Sequence, residues 1–353
     1  MQSKKIKVLY LFNQPRKSDI SAIENGRRHE GHLYGMRLMK KFGIEARYIE
    51  LENFLPNWAS TFLRKSILNI YFVHLPLLPL FFNYDIIFTP TAFGSQFVKT
   101  ILGFKKTKWI MYDFNIVGWI GNGETLKQKV FTWMVSKAGG IVTIGKEEEQ
   151  VLNKMFPEMK EKIQFIPYAV DDSFFVPQDV PEDIIILTVG IDSGRDYKTF
   201  FEACCDLDVK VVLAGDQYKL KKLDIPKNVE IRRFSSEEML TVYSKAKIVV
   251  IPLDISKGNN NAMGGSTVVE SMIMGKATIV SKTPTMESYI KDGETGVLVP
   301  QGDSHALKKA MVDLLQNDEK RKKLGINARN FAIENLSKNI VAKKLADFFN
   351  KIV

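Results

Sequence analysis

The residues best suited to bind a phosphorylated ligand are the run Gly264-Gly265-Ser266-Thr267 and Glu270, one helical turn further on. The apolar residues that follow predict a helix from about Thr267 to Met274, ended by Gly275. The start of such a helix offers free backbone N–H groups and the positive end of the helix dipole, which suit a phosphate. The Glu270 carboxylate can accept hydrogen bonds from the vicinal hydroxyls of a ribose. The spacing therefore predicts a nucleotide site, with an ordinary helix start and a surface glutamate as the alternative.

A longer stretch, Asn259–Gly302, resembles the donor-binding signature of retaining glycosyltransferases of family 4, which have the GT-B fold. The matching positions are Gly265, Glu270, Gly275, Lys276, Asp292, Gly293, Thr295, Gly296, Val299, Pro300, Gly302 and Asp303. The family carries an acidic residue eight positions before the ribose glutamate, where it helps hold the donor sugar. This chain has Ala262 there, and Asn261 beside it is the candidate contact. The resemblance leaves the donor sugar open.

The resemblance also implies a diphosphate contact early in the second half of the chain. The run Ile184–Val189 predicts a strand that ends at Gly190, a candidate for the donor site. Relatives place an arginine and a lysine after this strand. Arg195 lies near the second of these positions, and its guanidinium can bind two phosphate oxygens at once. Lys198 is a weaker candidate, and both could instead be solvated residues of a helix start.

Arg233 and Phe234 lie in the turn after the strand predicted at Asn228–Ile231. In the family, the turn after this strand packs on the nucleobase. We therefore expect Arg233 and Phe234 to contact the base of the donor.

The acceptor side has weaker signals. The strands predicted at Lys7–Phe12 and Ala46–Leu51 enclose a polar loop, Asn13–Glu30, and a helix, Gly31–Phe42. In the family, the loop after the first strand lies over the donor phosphates and the acceptor, which makes Gly26, Arg27 and Arg28 candidates. Relatives place a histidine after the strand corresponding to Lys108–Tyr112, whereas this chain has Asp113. Asp113 could orient the acceptor hydroxyl, and a structural cap of the next turn has equal weight.

The amino-acid composition limits the kinds of protein that this chain can be. The chain has 353 residues, of which 45% are hydrophobic and 25% charged, as in a globular protein of two domains. The adjacent Cys204 and Cys205 cannot form a disulfide framework, which favours a reducing cytoplasm. The N-terminal residues lack a cleavage site and predict a strand, not a signal peptide. The net charge of +10 suits sugar nucleotides, anionic lipid or nucleic acid, with a solvated Lys-rich surface as the alternative.

The predicted fold class is α/β, with two Rossmann-like domains facing a cleft, as in GT-B. The segment Pro167-Tyr168-Ala169-Val170-Asp171 resembles the family's linker "PNGVD". The resemblance implies an acceptor-binding domain at 1–172, a nucleotide-sugar-binding domain at 173–335 and a helix at 336–353 that crosses back to the first domain.

The most apolar stretch, Thr61–Phe82, contains Pro76 and Pro79, which interrupt any membrane span. It predicts a buried helix or, alternatively, a segment that dips into one leaflet with the help of nearby basic residues. Those basic residues are Arg64, Lys65, Lys99, Lys105, Lys106 and Lys108.

Together these features favour a metal-independent, retaining glycosyltransferase without a cofactor, with a nucleotide-diphosphate sugar, preferably a UDP-sugar, as donor. The acceptor would be a glycan or a lipid-linked molecule in surface polysaccharide or glycolipid synthesis. We expect a cytoplasmic protein, peripheral on the inner face of a membrane, that binds no nucleic acid; its oligomeric state is open. The Asp206-Leu207-Asp208 motif resembles a metal-binding DxD, but it lies between a predicted helix and strand, at the wrong end of a parallel sheet.

Alternatives are a nucleotide-sugar epimerase or a phosphorylase on the same fold. A phosphorylase usually needs a lysine for a pyridoxal cofactor, and no such motif stands out in the sequence. A further alternative is a non-catalytic basic protein that binds membrane or nucleic acid. The sequence lacks the basic patches interleaved with aromatic residues that are typical of RNA readers, which lowers the weight of a nucleic-acid partner.

Overall fold

Apolar, β-branched runs form the strands of this protein. The structure, a computed structural model, describes residues 5–67, 72, 74–89, 93–103, 106–256 and 262–353. Within these residues, twelve strands form two six-stranded sheets, and the strands of each sheet are parallel. The chain divides by its contacts into two units, unit 1 (Met1–Glu24, His32–Ile166 and Val341–Val353) and unit 2 (Asn25–Gly31 and Pro167–Ile340).

Unit 1 contains the sheet with strand order β2-β1-β3-β4-β5-β6. Its strands are β1 (Lys7–Tyr10), β2 (Glu45–Tyr48), β3 (Ile86–Thr89), β4 (Lys108–Tyr112), β5 (Gly140–Thr143) and β6 (Ile163–Phe165). Its α-helices include α1 (Lys17–Glu24), α2 (Asn57–Phe62), α3 (Phe93–Ile101), α4 (Ile116–Ile120), α5 (Leu126–Ser136) and α6 (Lys146–Met155). Every residue of β3 and of β5 is buried, as expected for central strands covered on both faces.

Two regions of unit 1 differ from their predicted structure. The predicted loop Asn13–Glu30 contains α1, and the predicted helix Gly31–Phe42 consists of two short 3₁₀-helices, Gly31–Leu33 and Met36–Phe42. The break occurs because Tyr34 and Gly35 have left-handed backbone, with φ of 50° and 72°.

The stretch Thr61–Phe82 is not one helix. Helix α2 ends at Phe62, a π-helical turn follows at Leu63–Ile67, and a 3₁₀-helix spans Leu75–Asn83. Pro76 and Pro79 lie in the 3₁₀-helix and cannot donate the backbone hydrogen bonds of a continuous α-helix. Residues 68–71 and 73 lie outside the described part of the chain, as does Lys105. Among the described residues, no helix is long and apolar enough to cross a bilayer.

Unit 2 contains the sheet with strand order β12-β11-β10-β7-β8-β9. Its strands are β7 (Ile184–Val189), β8 (Val211–Ala214), β9 (Val229–Arg232), β10 (Ala246–Ile251), β11 (Ala277–Ser281) and β12 (Val297–Val299). Its α-helices include α7 (Tyr197–Cys204), α8 (Ser236–Lys245), α9 (Gly265–Ile273), α10 (Ser304–Gln316) and α11 (Asp318–Asn335). Ser235 caps α8 through a hydrogen bond from the Glu238 N–H to its hydroxyl.

The order of strands places a topological switch point between β7 and β10. From β7 the chain continues outward through β8 and β9, whereas from β10 it continues the other way through β11 and β12. The crossovers that begin at the carboxyl ends of β7 and β10 therefore lead to opposite halves of the sheet. Ligands of open α/β sheets bind at such switch points.

The last helix, α12 (Lys338–Ile352), begins among residues of unit 2, and from Val341 it packs in unit 1. There Phe349 contacts the rings of Tyr10 and Phe88. A Cβ on Gly35 would lie 3.1 Å from Cβ of Ala342, so glycine allows the backbone at Gly35 to approach this helix closely.

A buried ion cluster fixes the start of α12 within unit 2. The Lys338 ammonium lies 2.7 Å from Oε1 of Glu30 and 2.8 Å from Oδ1 of Asp171, and the Glu30 backbone N–H donates to Oδ2 of Asp171. Burial raises the pKa of Asp171, but hydrogen bonds from Lys338, Glu30 and Ser173 outweigh it and hold this pKa below its usual value. The cluster ties Asn25–Gly31 to the segment after Ile166.

We expect Lys338→Met to lower the free energy of unfolding by about 3 kcal/mol at neutral pH, because it leaves two buried carboxylates without their cation. Urea unfolding measures the loss. The exposed pair Lys351–Glu161 provides the control, and Lys351→Met should leave the free energy of unfolding close to that of the wild type. The difference in the free energy of unfolding between the wild type and Lys338→Met should shrink as the pH falls and Asp171 takes up a proton. Equal losses in the two variants would contradict this role of the cluster.

Candidate functional site

Helix α9 begins at the switch point, two residues earlier than predicted. Gly264 precedes it with a φ of 82°, a left-handed conformation that favours glycine. Val268, Val269, Met272 and Ile273 are buried in the core of unit 2 and fix the helix against the sheet. Its first turn is thereby held at the carboxyl edge of the sheet, next to β10.

The first turn of α9 has free hydrogen-bond donors. The Gly265 N–H donates to the carbonyl of Ala262, and the Val268 N–H donates to the carbonyl of Gly264. Within the described part of the chain, the N–H groups of Ser266 and Thr267 have no acceptor. Two adjacent N–H donors at the positive end of the helix dipole form a site for an anion.

The Arg195 guanidinium lies against this helix start. Its Nη2 donates to Oγ1 of Thr267 at 3.0 Å, and its Nε donates to Oδ2 of Asp192 at 3.0 Å. The side chain is only 3% exposed, and its Nη1 is buried without an acceptor in the residues that the structure describes. A buried N–H group that lacks an acceptor is costly, so Nη1 is well placed to donate to a ligand.

Gly190 makes room for the guanidinium. It follows β7 with a φ of 103°, and a Cβ at this position would lie 2.7 Å from Nη2 of Arg195. The Tyr197 hydroxyl donates to the Gly190 carbonyl and fixes this turn. An isolated antiparallel bridge pairs Arg195 with Leu253, so the loops after β7 and β10 meet here.

Glu270 lies one turn into α9 and is partly exposed. Its Oε2 accepts a hydrogen bond of 3.0 Å from the buried hydroxyl of Tyr243 on α8. Burial raises the pKa of Glu270 to about 7, and the Tyr243 hydrogen bond and the charge of Arg195 oppose this rise. The carboxylate is therefore oriented by Tyr243 and has lone pairs left for further donors.

The predicted base contacts lie at the same edge of the sheet. Arg233 and Phe234 follow β9, and the exposed Arg233 guanidinium pairs with Asp216, which follows β8. Phe234 packs on the core of unit 2 and carries the Arg232 guanidinium over its ring at 4.9 Å. No contact of either residue with Arg195 is found among the described residues, so their role in base binding stays a prediction.

Two other donor candidates have less support. Lys198 is exposed in the first turn of α7, and its ammonium forms no hydrogen bond or ion pair with any residue of the described ranges. Asn261 lies outside the described residues.

The candidate loop Gly26-Arg27-Arg28 belongs to unit 2 by its contacts. Gly26 and Arg27 are exposed, and Arg28 is partly buried. The adjacent His29 packs against the rings of Phe174 and Phe175, and burial lowers its pKa to about 4. Because His29 is neutral at physiological pH, this loop owes its positive charge to the arginines.

Asp113 is fully buried at the end of β4. Its Oδ1 accepts from the Ile116 N–H at 2.6 Å, so it caps the turn that leads into α4, which is the alternative that the sequence left open. Its Oδ2 is buried without a hydrogen-bond partner in the described part of unit 1. Burial raises the pKa of Asp113 to about 7, against hydrogen bonds from the backbone of Ile116 and Asn115. An acceptor role for Asp113 stays a prediction.

We expect Asp113→Asn to stabilise the protein at pH 8 by roughly 1 to 3 kcal/mol. Between the ordinary pKa of about 4 and the raised value of about 7, the folded state binds more protons than the unfolded state. Wild-type stability therefore falls as the pH rises through this window, whereas asparagine keeps the cap without the ionisation. Unfolding at pH 4 to 8 measures the divergence. The exposed Asp179→Asn should follow the wild type, and an Asp113→Asn variant less stable than the wild type at pH 8 would contradict the argument.

Sequence reasoning missed two tyrosines of this site. Tyr243 approaches Glu270 from another helix, and no local pattern reports such a contact. Tyr168 packs its ring against Gly265, where an added Cβ would lie 2.2 Å from the ring, and its hydroxyl donates to the Ala262 carbonyl. Tyr168 belongs to the segment that resembles the family's linker. That resemblance indicates where Tyr168 lies along the chain but not that it contacts Gly265.

The DxD-like motif lies where the sequence predicts, between α7 and β8. Asp206 pairs with Lys308, and Asp208 precedes β8 at the amino edge of the sheet. In the described ranges, no group of three or more His, Cys, Asp or Glu side chains is placed to hold a metal ion.

Two six-stranded parallel sheets with Rossmann-like crossovers form a GT-B fold, and similar solved structures confirm this predicted fold class. The family model "Glycosyl transferases group 1" matches residues 171–331. That part of the chain is therefore a glycosyl transferases group 1 domain, as the sequence resemblance indicated.

Individual relatives agree with this assignment. The chain is 25% identical over 178 residues to an uncharacterized glycosyltransferase of Methanocaldococcus jannaschii, a match that covers 50% of this chain and 40% of the relative. Among solved structures, it resembles sucrose-phosphate synthase from Thermosynechococcus elongatus with a TM-score of 0.74 and 15% identity over 99% of each chain. It also resembles Anabaena HepE, solved with UDP-glucose, with a TM-score of 0.65 and 14% identity over 98% of this chain and 99% of that one. At these identities the solved structures establish the fold alone.

Proposed function

We propose that this protein is a retaining glycosyltransferase that moves a sugar from a nucleotide-diphosphate donor to a hydroxyl of a glycan or lipid-linked acceptor. The observation that carries the proposal is the buried Arg195 guanidinium, whose Nη1 lacks an acceptor beside the free N–H groups of Ser266 and Thr267. These donors fit the oxygens of a diphosphate. Glu270 lies one turn beyond them, where it can accept from the vicinal hydroxyls of the ribose.

The chemistry follows from this arrangement. The bond between the anomeric carbon and the diphosphate oxygen breaks, and a bond to the acceptor oxygen forms on the same face of the sugar. The departing diphosphate takes the proton of the acceptor hydroxyl. Arg195 and the N–H groups of α9 stabilise the negative charge that develops on the leaving group, because they are held in position before the reaction.

Other residues receive secondary roles. Lys198 is a second cation for the diphosphate, Asn261 a contact of the sugar, and Arg233 and Phe234 contacts of the base. The acceptor side comprises the Gly26-Arg27-Arg28 loop and Asp113, which would orient the hydroxyl.

Domain roles complete the proposal, with 1–172 for the acceptor, 173–335 for the donor and 336–353 as the returning helix. A uridine base is preferred because HepE, which shares the fold, was solved with UDP and with UDP-glucose. The setting would be surface polysaccharide or glycolipid synthesis at the inner face of a membrane.

We expect Arg195→Ala and Glu270→Ala each to lower transfer by about a hundredfold or more without changing the fold. Wild-type protein should gain thermal stability from UDP, and Arg195→Ala should lose most of this gain, because the diphosphate loses its guanidinium. A nucleoside-diphosphate thermal-shift screen and a transfer assay measure both effects. Lys210→Ala, which changes an exposed cation at the amino edge of β8, is the control. Full activity in both site variants would refute the site.

We also expect Tyr243→Phe to move the acidic limb of kcat/KM for the donor to higher pH by about half a unit or more. Glu270 must be ionised to accept two hydroxyl donors, so activity should rise with pH through about 7. The Tyr243 hydrogen bond favours the carboxylate, and its loss raises the pKa of Glu270 further. A pH profile of the initial rate at low donor concentration measures the shift. The exposed Tyr218→Phe should keep the wild-type profile, and an unmoved limb in Tyr243→Phe would contradict the role of its hydroxyl.

A further inference from the structure

Helix α5 of unit 1 exposes an apolar stripe to solvent. Leu126, Val130 and Trp133 lie at positions i, i+4 and i+7, and therefore on one face of the helix. All three are exposed, and Leu126 reaches 79%. The opposite face, with Val135 and the partly buried Phe131, packs into the core of the unit. The stripe is thus an outward face, and core packing does not explain it.

A second helix extends this apolar surface. The Trp133 ring meets the Phe97 ring of α3 edge-on, with a centroid distance of 6.4 Å. One turn beyond Phe97, Ile101 and Leu102 are 58% and 55% exposed. We call this surface, formed by Leu126, Val130, Trp133, Ile101 and Leu102, the α3–α5 face.

The charges around the α3–α5 face are mostly positive. Lys127 and Lys129 flank the stripe on either side, and Lys137 continues it by one turn. Lys99, Lys106 and Lys108 lie near the end of α3. No ion pair of these six lysines with a carboxylate is found among the described residues. Burial lowers the pKa of Lys99, and the charge of Lys108 lowers it further, as expected for cations that lack a counterion.

Acidic residues are nearly absent from the same segment. Between 93 and 137 the chain contains only Asp113, which is buried, and Glu124. A bilayer with anionic headgroups complements both features, because the aliphatic and indole side chains enter the acyl boundary while the lysines stay at the phosphates. A second copy of the chain would bring the same lysines against one another in a two-fold interface. Nucleic acid would leave the apolar stripe uncovered.

We propose that the α3–α5 face is a membrane-docking surface that binds anionic phospholipid bilayers. The proposal stands apart from the donor site, because it uses none of the residues that bind nucleotide. It places the contact on α3 and α5, whereas the sequence offered membrane contact at Thr61–Phe82 as the alternative to a buried helix.

Vesicle flotation of the full chain tests this proposal. Wild-type protein should float with vesicles of equal parts phosphatidylcholine and phosphatidylglycerol and remain below with phosphatidylcholine alone. The double variant Leu126→Ser, Trp133→Ser should lose about tenfold or more of its partitioning, because the apolar anchors are gone. The triple variant Lys127→Gln, Lys129→Gln, Lys137→Gln should lose a similar amount by removing the attraction to anionic headgroups. All of these positions are exposed, and thermal melts check that the variants fold.

Two controls make the test specific to the α3–α5 face. Trp58→Ser removes a tryptophan that is 76% exposed on α2, and it should float like the wild type. The triple variant Lys221→Gln, Lys222→Gln, Lys227→Gln removes the same charge from unit 2 and should also float. Failure of the wild type to float, or loss of flotation in the control variants but not in those of the α3–α5 face, would overturn the proposal. A dimer on size-exclusion chromatography that Leu126→Ser, Trp133→Ser converts to a monomer would overturn it too, in favour of an interface between copies.

Discussion

The burial of the Arg195 guanidinium constrains the structure of unit 2. A guanidinium loses much of its hydration when it is buried, and here one carboxylate and one hydroxyl replace only part of it. The position is possible because Gly190 has no side chain and because Thr267 begins a helix beside it. Strand order places this guanidinium at the switch point between β7 and β10, where ligands of open α/β sheets bind. Its Nη1 and the start of α9 therefore suit an anionic ligand.

The same electrostatic logic governs the carboxylate of the site. Glu270 is held where burial favours its protonated form, while Tyr243 and Arg195 favour the charged form. This balance sets its pKa to about 7, so a small change in its surroundings alters the fraction that is ionised. A carboxylate whose pKa is raised by burial contributes less to the stability of the fold than a neutral side chain would. Function explains its presence better than folding does.

The sequence predicted the features that depend on neighbours along the chain. Strand β7 has its predicted bounds, because buried parallel strands are continuous apolar runs. Arg195 was singled out by resemblance to the family and Glu270 by its spacing from the Gly-rich helix start, and both lie beside the first turns of α9. Contacts between segments far apart in the sequence, such as the hydrogen bond from Tyr243 to Glu270, were not predicted. The break at Tyr34 in the predicted helix Gly31–Phe42 was not predicted, because no sequence pattern indicates a left-handed tyrosine.

The two units also differ in where their positively charged side chains lie. In unit 2 the central cations are buried and oriented, as Arg195 is by Asp192 and Thr267, and Lys338 by Glu30 and Asp171. In unit 1 the lysines around α3 and α5 remain at the surface next to exposed apolar side chains. Buried, fixed cations select a ligand by geometry, whereas mobile surface lysines act through the summed field and bind an extended anionic surface. A small phosphorylated ligand therefore suits unit 2, and a two-dimensional array of headgroups suits unit 1.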